Sequence, residues 1–310
     1  MRHHHVAKAL ALTLLCLLLV PGCEQGDEPV QVALILSGAS GHYWENIVEG
    51  AQTAAERMDI PLRCYMPDEE KEIRLEDLPA QAARDGVDAL VVASQGQQEL
   101  LDALEGIDLP LIAVGTQIEG AEAAVLNDDA KMGQSVAQAL AASLAEGDGV
   151  LLLADSAEYR ETDLRETSLR ENLAAKGVTV RGRLFSGDNR EWAYRQTLQQ
   201  LYLWPDLDAI VAFSAKATVG AAQAAQYLDR DIPIVGTDIV TELIACIEDG
   251  SVDATIVRNS FGMGYLGVER AAGALRGEQI PEVQTLSSVA VTRDNLFTPE
   301  IEKIVFPYDE

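Results

Sequence analysis

The chain has 310 residues with 50 acids against 23 Lys and Arg, a formal charge of −27, and 48% hydrophobic residues. That length holds one large domain or two ordinary ones, and the apolar content excludes a disordered chain. The acidity excludes a protein that binds nucleic acid through a Lys/Arg footprint, because the phosphate backbone would be repelled.

Two of the bases, Arg2 and Lys8, and none of the acids lie in residues 1–22, which leaves the rest at −29. Residues 9–20 (ALALTLLCLLLV) are apolar. Such a run behind a basic start predicts a secretory signal rather than a membrane-spanning helix. His3, His4 and His5 belong to its basic start and are given no metal role. The run ends Val20-Pro21-Gly22-Cys23, similar to a bacterial lipobox, so Cys23 is the expected lipidation site; an ordinary signal with a chance cysteine is the alternative. Residues 1–22 then form a lipoprotein signal peptide, and residues 23–29 a tether that holds the domain at the membrane.

Apolar strands and helical segments alternate from residue 30. The first run of strands is expected at 31–36, 62–65, 88–93, 110–114 and 123–126. The second is expected at 149–154, 178–184, 208–213, 232–236 and 253–257. Helices lie between them: Met132, Val136, Leu140 and Leu144 share one face, as do Met263, Leu266, Ala271 and Leu275. Solid apolar strands separated by helices indicate parallel sheets covered on both faces. The two runs predict an α/β protein of two similar doubly wound parallel-sheet lobes, each with five strands. No Pro-rich or low-complexity linker divides them, which favours several chain crossings over two beads on a string.

Ligands bind beyond the carboxyl ends of parallel strands. Reading just past each strand gives Ser37, Ser94, Gln95, Thr116, Gln117, Asn127, Asp128, Asp155, Asp188, Asn189, Ser214, Asp238 and Arg258. Two such rims facing each other would line a polar cleft. An enzyme finds less support. Ser37-Gly38-Ala39-Ser40-Gly41 lacks the spacing of a dinucleotide loop, His42 has no partner nearby in sequence, and no Cys/His/acid cluster has metal-ligand spacing. No cofactor is expected. Cys64 and Cys246 lie in apolar surroundings without a CxxC pattern; two separate buried thiols are favoured over a disulfide.

The segments Tyr43-Trp44, GVDALVVAS, LPLIAVGT, NDDAKMGQSVAQAL, PDLDAIVAFSAKATVGAAQAA, IPIVGTDI and IEDGSVDATIVRNSFGMGYLGVE carry a resemblance in their order and spacing. Over roughly residues 30–295 the chain resembles type I periplasmic binding proteins of the ribose/galactose class, the substrate receptors of ABC transporters. The resemblance implies lobe one from 30–127 plus 259–288 and lobe two from 128–258 plus 289–306. A three-crossing hinge would join them. Cys64 and Cys246 would fall in different lobes, which supports free thiols.

The resemblance also implies site residues. Tyr43 and Trp44 match an aromatic pair that packs on a sugar ring, with one of the two expected in the lobe core. Arg165 matches a ligand-reaching arginine; a solvated arginine on an amphipathic helix is the competing role. Asp238 matches an acidic acceptor of ligand hydroxyls, and an N-cap is its competing role. Ser214, Asp128 and Asp188 complete the set of expected contacts. Many members carry Asp-Arg where this chain has Gly115-Thr116, Asn-Asp where it has Ser214-Ala215, and Gln or Asn at Arg258. The added guanidinium suits a carboxylate, a phosphate or a densely hydroxylated ligand, unless it pairs with an acid such as Asp128 across the hinge.

The implied function is an extracytoplasmic solute receptor, without catalysis, that closes on a small polar ligand such as a sugar or polyol. It would deliver that ligand to the permease of an ABC importer. The alternative is a sensing subunit that hands its closed form to a membrane sensor kinase. The secretion signal excludes a repressor of related fold.

Overall fold

A computed structural model describes residues 30–38, 41–68, 70–155 and 160–305. The signal segment, Cys23 and the tether lie outside the described residues. Two parallel-dominated sheets with helices on both faces make up the fold.

The first sheet contains β1 (Val32–Leu36), β2 (Leu62–Tyr65), β3 (Ala89–Ala93), β4 (Leu111–Gly115) and β5 (Ala123–Asn127). The second contains β6 (Gly149–Ala154), β7 (Thr179–Phe185), β8 (Ala209–Ala212), β9 (Ile234–Thr237) and β10 (Ala254–Val257). Each sheet has six strands rather than the expected five. β11 (Val283–Leu286) and β12 (Val289–Thr292) supply the additions, giving the orders β11-β5-β4-β3-β1-β2 and β12-β10-β9-β8-β6-β7. β11 runs parallel to β5, whereas β12 runs antiparallel to β10. Both are four-residue edge strands with mixed exposure and lack the solid apolar run that marks the central strands; β2 and β7, at the opposite edges, are mixed as well.

The central strands are buried on both faces, and their alternate residues feed different cores. Val32, Leu34 and Leu36 meet Ile47 of α1 (His42–Met58) and Met263 of α9 (Ser260–Leu275). Ala33 and Ile35 meet Leu78 and Ala82 of α2 (Leu78–Arg84) and Leu100 of α3 (Gln98–Leu104). In the second sheet Val150 and Leu152 pack with Met132 of α4 (Asp129–Leu140) and Leu169 of α5 (Arg160–Ala174). Leu151 and Leu153 pack with Ala193 of α6 (Arg190–Leu203), Val219 of α7 (Ala215–Tyr227) and Leu243 of α8 (Thr241–Asp249). Ile301 of α10 (Pro299–Val305) joins that last core.

The chain passes between the sheets after β5, after β10 and between β11 and β12. The second passage returns α9 to the first sheet, where it packs along α1. A Cβ on Gly50 would overlap the carbonyl oxygen of Phe261, and one on Gly264 would overlap that of Ile47. The two backbones therefore touch where each helix presents a glycine, and this contact fixes the helix whose first turn carries Tyr43 and Trp44.

Cys64 and Cys246 are both free. They are not buried as the sequence suggested. Cys64 is exposed because β2 is the outer strand of its sheet, and Cys246 on α8 is half-buried.

Candidate ligand-binding site

A cavity of about 220 Å³ opens where the carboxyl ends of strands from both sheets converge. The first sheet contributes Gly41, His42, Tyr43 and Trp44 beyond β1 and Gln95 beyond β3. The second contributes Asp155 beyond β6, Asp188 beyond β7 and Phe213, Ser214 and Ala215 beyond β8. Asp238, Ile239 and Val240 follow β9, and Arg258 follows β10. Each strand end supplies side chains because its backbone leaves the ladder there and turns into the next helix.

Tyr43 and Trp44 both line the cavity, with ring centroids 4.9 Å apart in an edge-on arrangement. Both also pack on the first core, so neither is given over wholly to it. The Trp44 indole lies over Gly38, where any Cβ would collide with the ring.

Asp238 and Arg258 form one unit. Arg258 Nε donates to Asp238 Oδ1 at 2.9 Å and Nη2 donates to Oδ2, a two-point pair. The Arg258 guanidinium also lies 4.0 Å from the centroid of the Tyr43 ring. Burial alone would push the guanidinium down. The charge and hydrogen bonds of Asp238 outweigh that effect and hold it well above its usual value. Arg258 does pair with an acid, but with Asp238 in its own sheet rather than with Asp128 across the crossing. Asp238 does not cap α8, whose N-cap is Val240. It adopts φ +60°, a left-handed conformation that aspartate tolerates better than most residues and that often marks a functional position.

Arg165 is neither solvated nor on the cavity surface. Its side chain is 1% exposed, with Nη2 donating to Asp155 at 3.2 Å and Nε 3.9 Å from Asp129. Its guanidinium stacks 4.7 Å from the Phe213 ring. Arg165 thus stands behind two residues that line the cavity and holds both. A low-polarity stripe would normally be needed to foresee such burial, and Arg160, Arg165 and Arg170 all lie on this one polar helix.

The remaining candidates divide. Asp188 lines the cavity and pairs with Lys216 at 3.0 Å. Ser214 lines it too, but its hydroxyl accepts from the Ala217 N–H as the N-cap of α7 and donates to the Gly187 carbonyl. Asp128 is the N-cap of α4, accepts from the Lys131 N–H and does not line the cavity. Gln95 and Asp155 are strand-end positions that nothing in the sequence marks out as contacts. Phe213 was missed altogether, because an apolar residue at the end of an apolar strand reads as core.

Residues 32–279 match the family described as periplasmic binding protein domain. The chain belongs to this family of binding proteins. It is not an enzyme family, and membership implies an extracytoplasmic location. The ribose import binding protein of Bacillus subtilis is 23% identical over 268 residues, covering 84% of this chain and 86% of that protein. Among solved structures, a solute-binding protein of an ABC transporter from Agrobacterium vitis, bound to α-D-tagatopyranose, superimposes with a TM-score of 0.81 at 20% identity. The match covers 89% of this chain and 99% of that one. A glucose-galactose binding protein from Geobacillus stearothermophilus gives a TM-score of 0.79 at 21% identity, covering 87% and 100%. These likenesses establish the type I periplasmic binding protein fold, with two sheets and three passages of the chain between them.

Proposed function

We propose that the protein is an extracytoplasmic solute receptor that closes on one small uncharged polyol, a single sugar ring, and delivers it to an ABC importer. The observation that carries this reading is the charge balance of the cavity. The carboxylates that line it are Asp155, Asp188 and Asp238, and each has a cation beside it: Arg165, Lys216 and Arg258. In a chain otherwise at −29, each described carboxylate of the lining is paired, with Arg165 shared between Asp155 and Asp129 behind it. Among the described residues the lining thus offers hydrogen-bond donors and acceptors rather than a lone charge to pair with an anion or a cation.

Size agrees. A cavity of about 150 Å³ is known to hold benzene, so about 220 Å³ suits one six-membered ring with hydroxyls. Trp44 supplies an apolar wall for the C–H face of such a ring. Relatives named for ribose, or solved with tagatopyranose, support the same class.

In this reading residues 30–127 plus 259–288 and 128–258 plus 289–306 move as two lobes about the three crossings. The ligand favours the closed form by binding it more tightly. Lipidation at Cys23 holds the receptor at the membrane, and a permease reads the closed form.

A thermal-shift screen of neutral sugars and polyols tests the proposal. A ligand at a hundred times its Kd stabilises by about 2.7 kcal/mol, which raises Tm by about 5 °C in a chain of this size. A broad panel that leaves Tm unmoved, together with a native-extract mass spectrum showing no bound molecule, rejects the receptor reading.

A further inference from the structure

The guanidinium of Arg258 engages two groups that a ligand would otherwise use. It binds both oxygens of Asp238 and covers one face of the Tyr43 ring at 4.0 Å. Asp238 and Arg258 follow β9 and β10, neighbours in the second sheet, whereas Tyr43 sits in the first turn of α1 against the first sheet. One side chain therefore joins lining residues contributed by the two sheets. It is 7% exposed and held at three points, so it occupies space as a fixed object rather than as a mobile arm.

We propose that Arg258 is the specificity-determining residue of this site: it plugs the end between Asp238 and Tyr43 and confines the ligand to one compact uncharged ring. The proposal rests on the receptor reading above. Removing the guanidinium has two separable effects. It uncovers the Tyr43 face and the space beside it, which admits a ring with a larger substituent. It also leaves the Asp238 carboxylate without its cation, which favours a positively charged ligand.

The test compares the purified protein with R258Q and with the double variant D238N/R258Q by isothermal titration. The probes are D-ribose, D-arabinose, D-allose, D-glucosamine and D-glucuronate. The wild type is expected to bind at least one neutral sugar and to bind glucosamine and glucuronate at least tenfold more weakly. R258Q is expected to raise the ratio of hexose to pentose affinity at least fivefold and to gain tenfold or more for glucosamine relative to allose. The double variant, which has no uncompensated charge and serves if R258Q fails to fold, keeps the first change and loses the second. Affinity ratios within twofold of the wild type in every folded variant overturn the plug. So does a wild type that prefers glucuronate, since its guanidinium would then be open to an anion. A wild type that binds none of the five probes also overturns this inference; the receptor reading falls with it only when the broad thermal-shift panel and the native-extract mass spectrum are negative as well.

Discussion

Replacing Asp238 by Asn separates the charge of this residue from its shape. Asparagine is nearly isosteric and, like aspartate, tolerates the φ of +60° found here. An alanine would add backbone strain and confuse the result. The variant leaves a guanidinium that is 7% exposed without its counter-charge. Breaking a buried pair by removing one partner costs about 3–5 kcal/mol. Two contacts soften the loss. The Asn carbonyl still accepts one hydrogen bond, and the Tyr43 ring keeps a cation–π contact worth up to about 2 kcal/mol when desolvated. The expected cost is therefore at the lower end, about 3 kcal/mol. In D238N/R258Q both charges are gone, and the loss should shrink to about 1 kcal/mol, a coupling of at least about 2 kcal/mol between the positions. Urea unfolding of the wild type, both single variants and the double measures the cycle, provided m stays constant. A coupling below about 0.5 kcal/mol would show that the two side chains act independently. The reasoning from a single buried unit would then be wrong.

Gly264→Ala should cost about 1–3 kcal/mol by overpacking α9 against α1. It should also weaken sugar binding, because α1 carries Tyr43 and Trp44; unchanged stability in urea would argue against the tight crossing. Arg165→Leu should lose at least about 3 kcal/mol without any ligand present, since the guanidinium is buried among Asp129, Asp155 and Phe213. A normal Tm would return Arg165 to a purely ligand-facing role. Asp128→Ala and Ser214→Ala each remove an N-cap and should each cost about 1 kcal/mol. Calorimetric titration should show sugar affinity unchanged in the first and reduced in the second, and equal effects would contradict the placement of Asp128 outside the cavity.

Much of the fold was legible because the eight inner strands are short, wholly apolar or nearly so, and set off by Gly, Pro and polar turns. β11 (VQTL) and β12 (VAVT) escaped notice because each is a short edge strand without a continuous apolar run and no helix separates them, so they lack the strand–helix alternation that marks the edge strands β2 and β7. The position of the site was legible for a related reason. Parallel strands all aim their carboxyl ends one way, so Asp155, Asp188, Ser214, Asp238 and Arg258 could be read off as rim residues. Pairing within the rim was not. Asp238 and Arg258 are 20 residues apart, and only the adjacency of β9 and β10 brings them together. Cys64 illustrates the opposite error: an apolar neighbourhood in sequence implied burial, but the outer place of β2 exposes it.

The late strands have a bearing on how the protein is made. The described residues from Gln31 onward form a single compact unit, yet each sheet is finished by a segment from the far end of the chain. Helix α9, which seals the face of the first sheet against α1, begins only at Ser260, and the edges are closed at Val283–Leu286 and Val289–Thr292. On each sheet, the core that takes in α9 or α10 therefore cannot be completed until nearly all of the chain has been synthesised, and contacts of such long sequence separation form slowly. That delay keeps those two cores loose for longer as the chain emerges. Chains cut short before about residue 280 should accumulate as protease-sensitive species rather than as an isolated, stable first half.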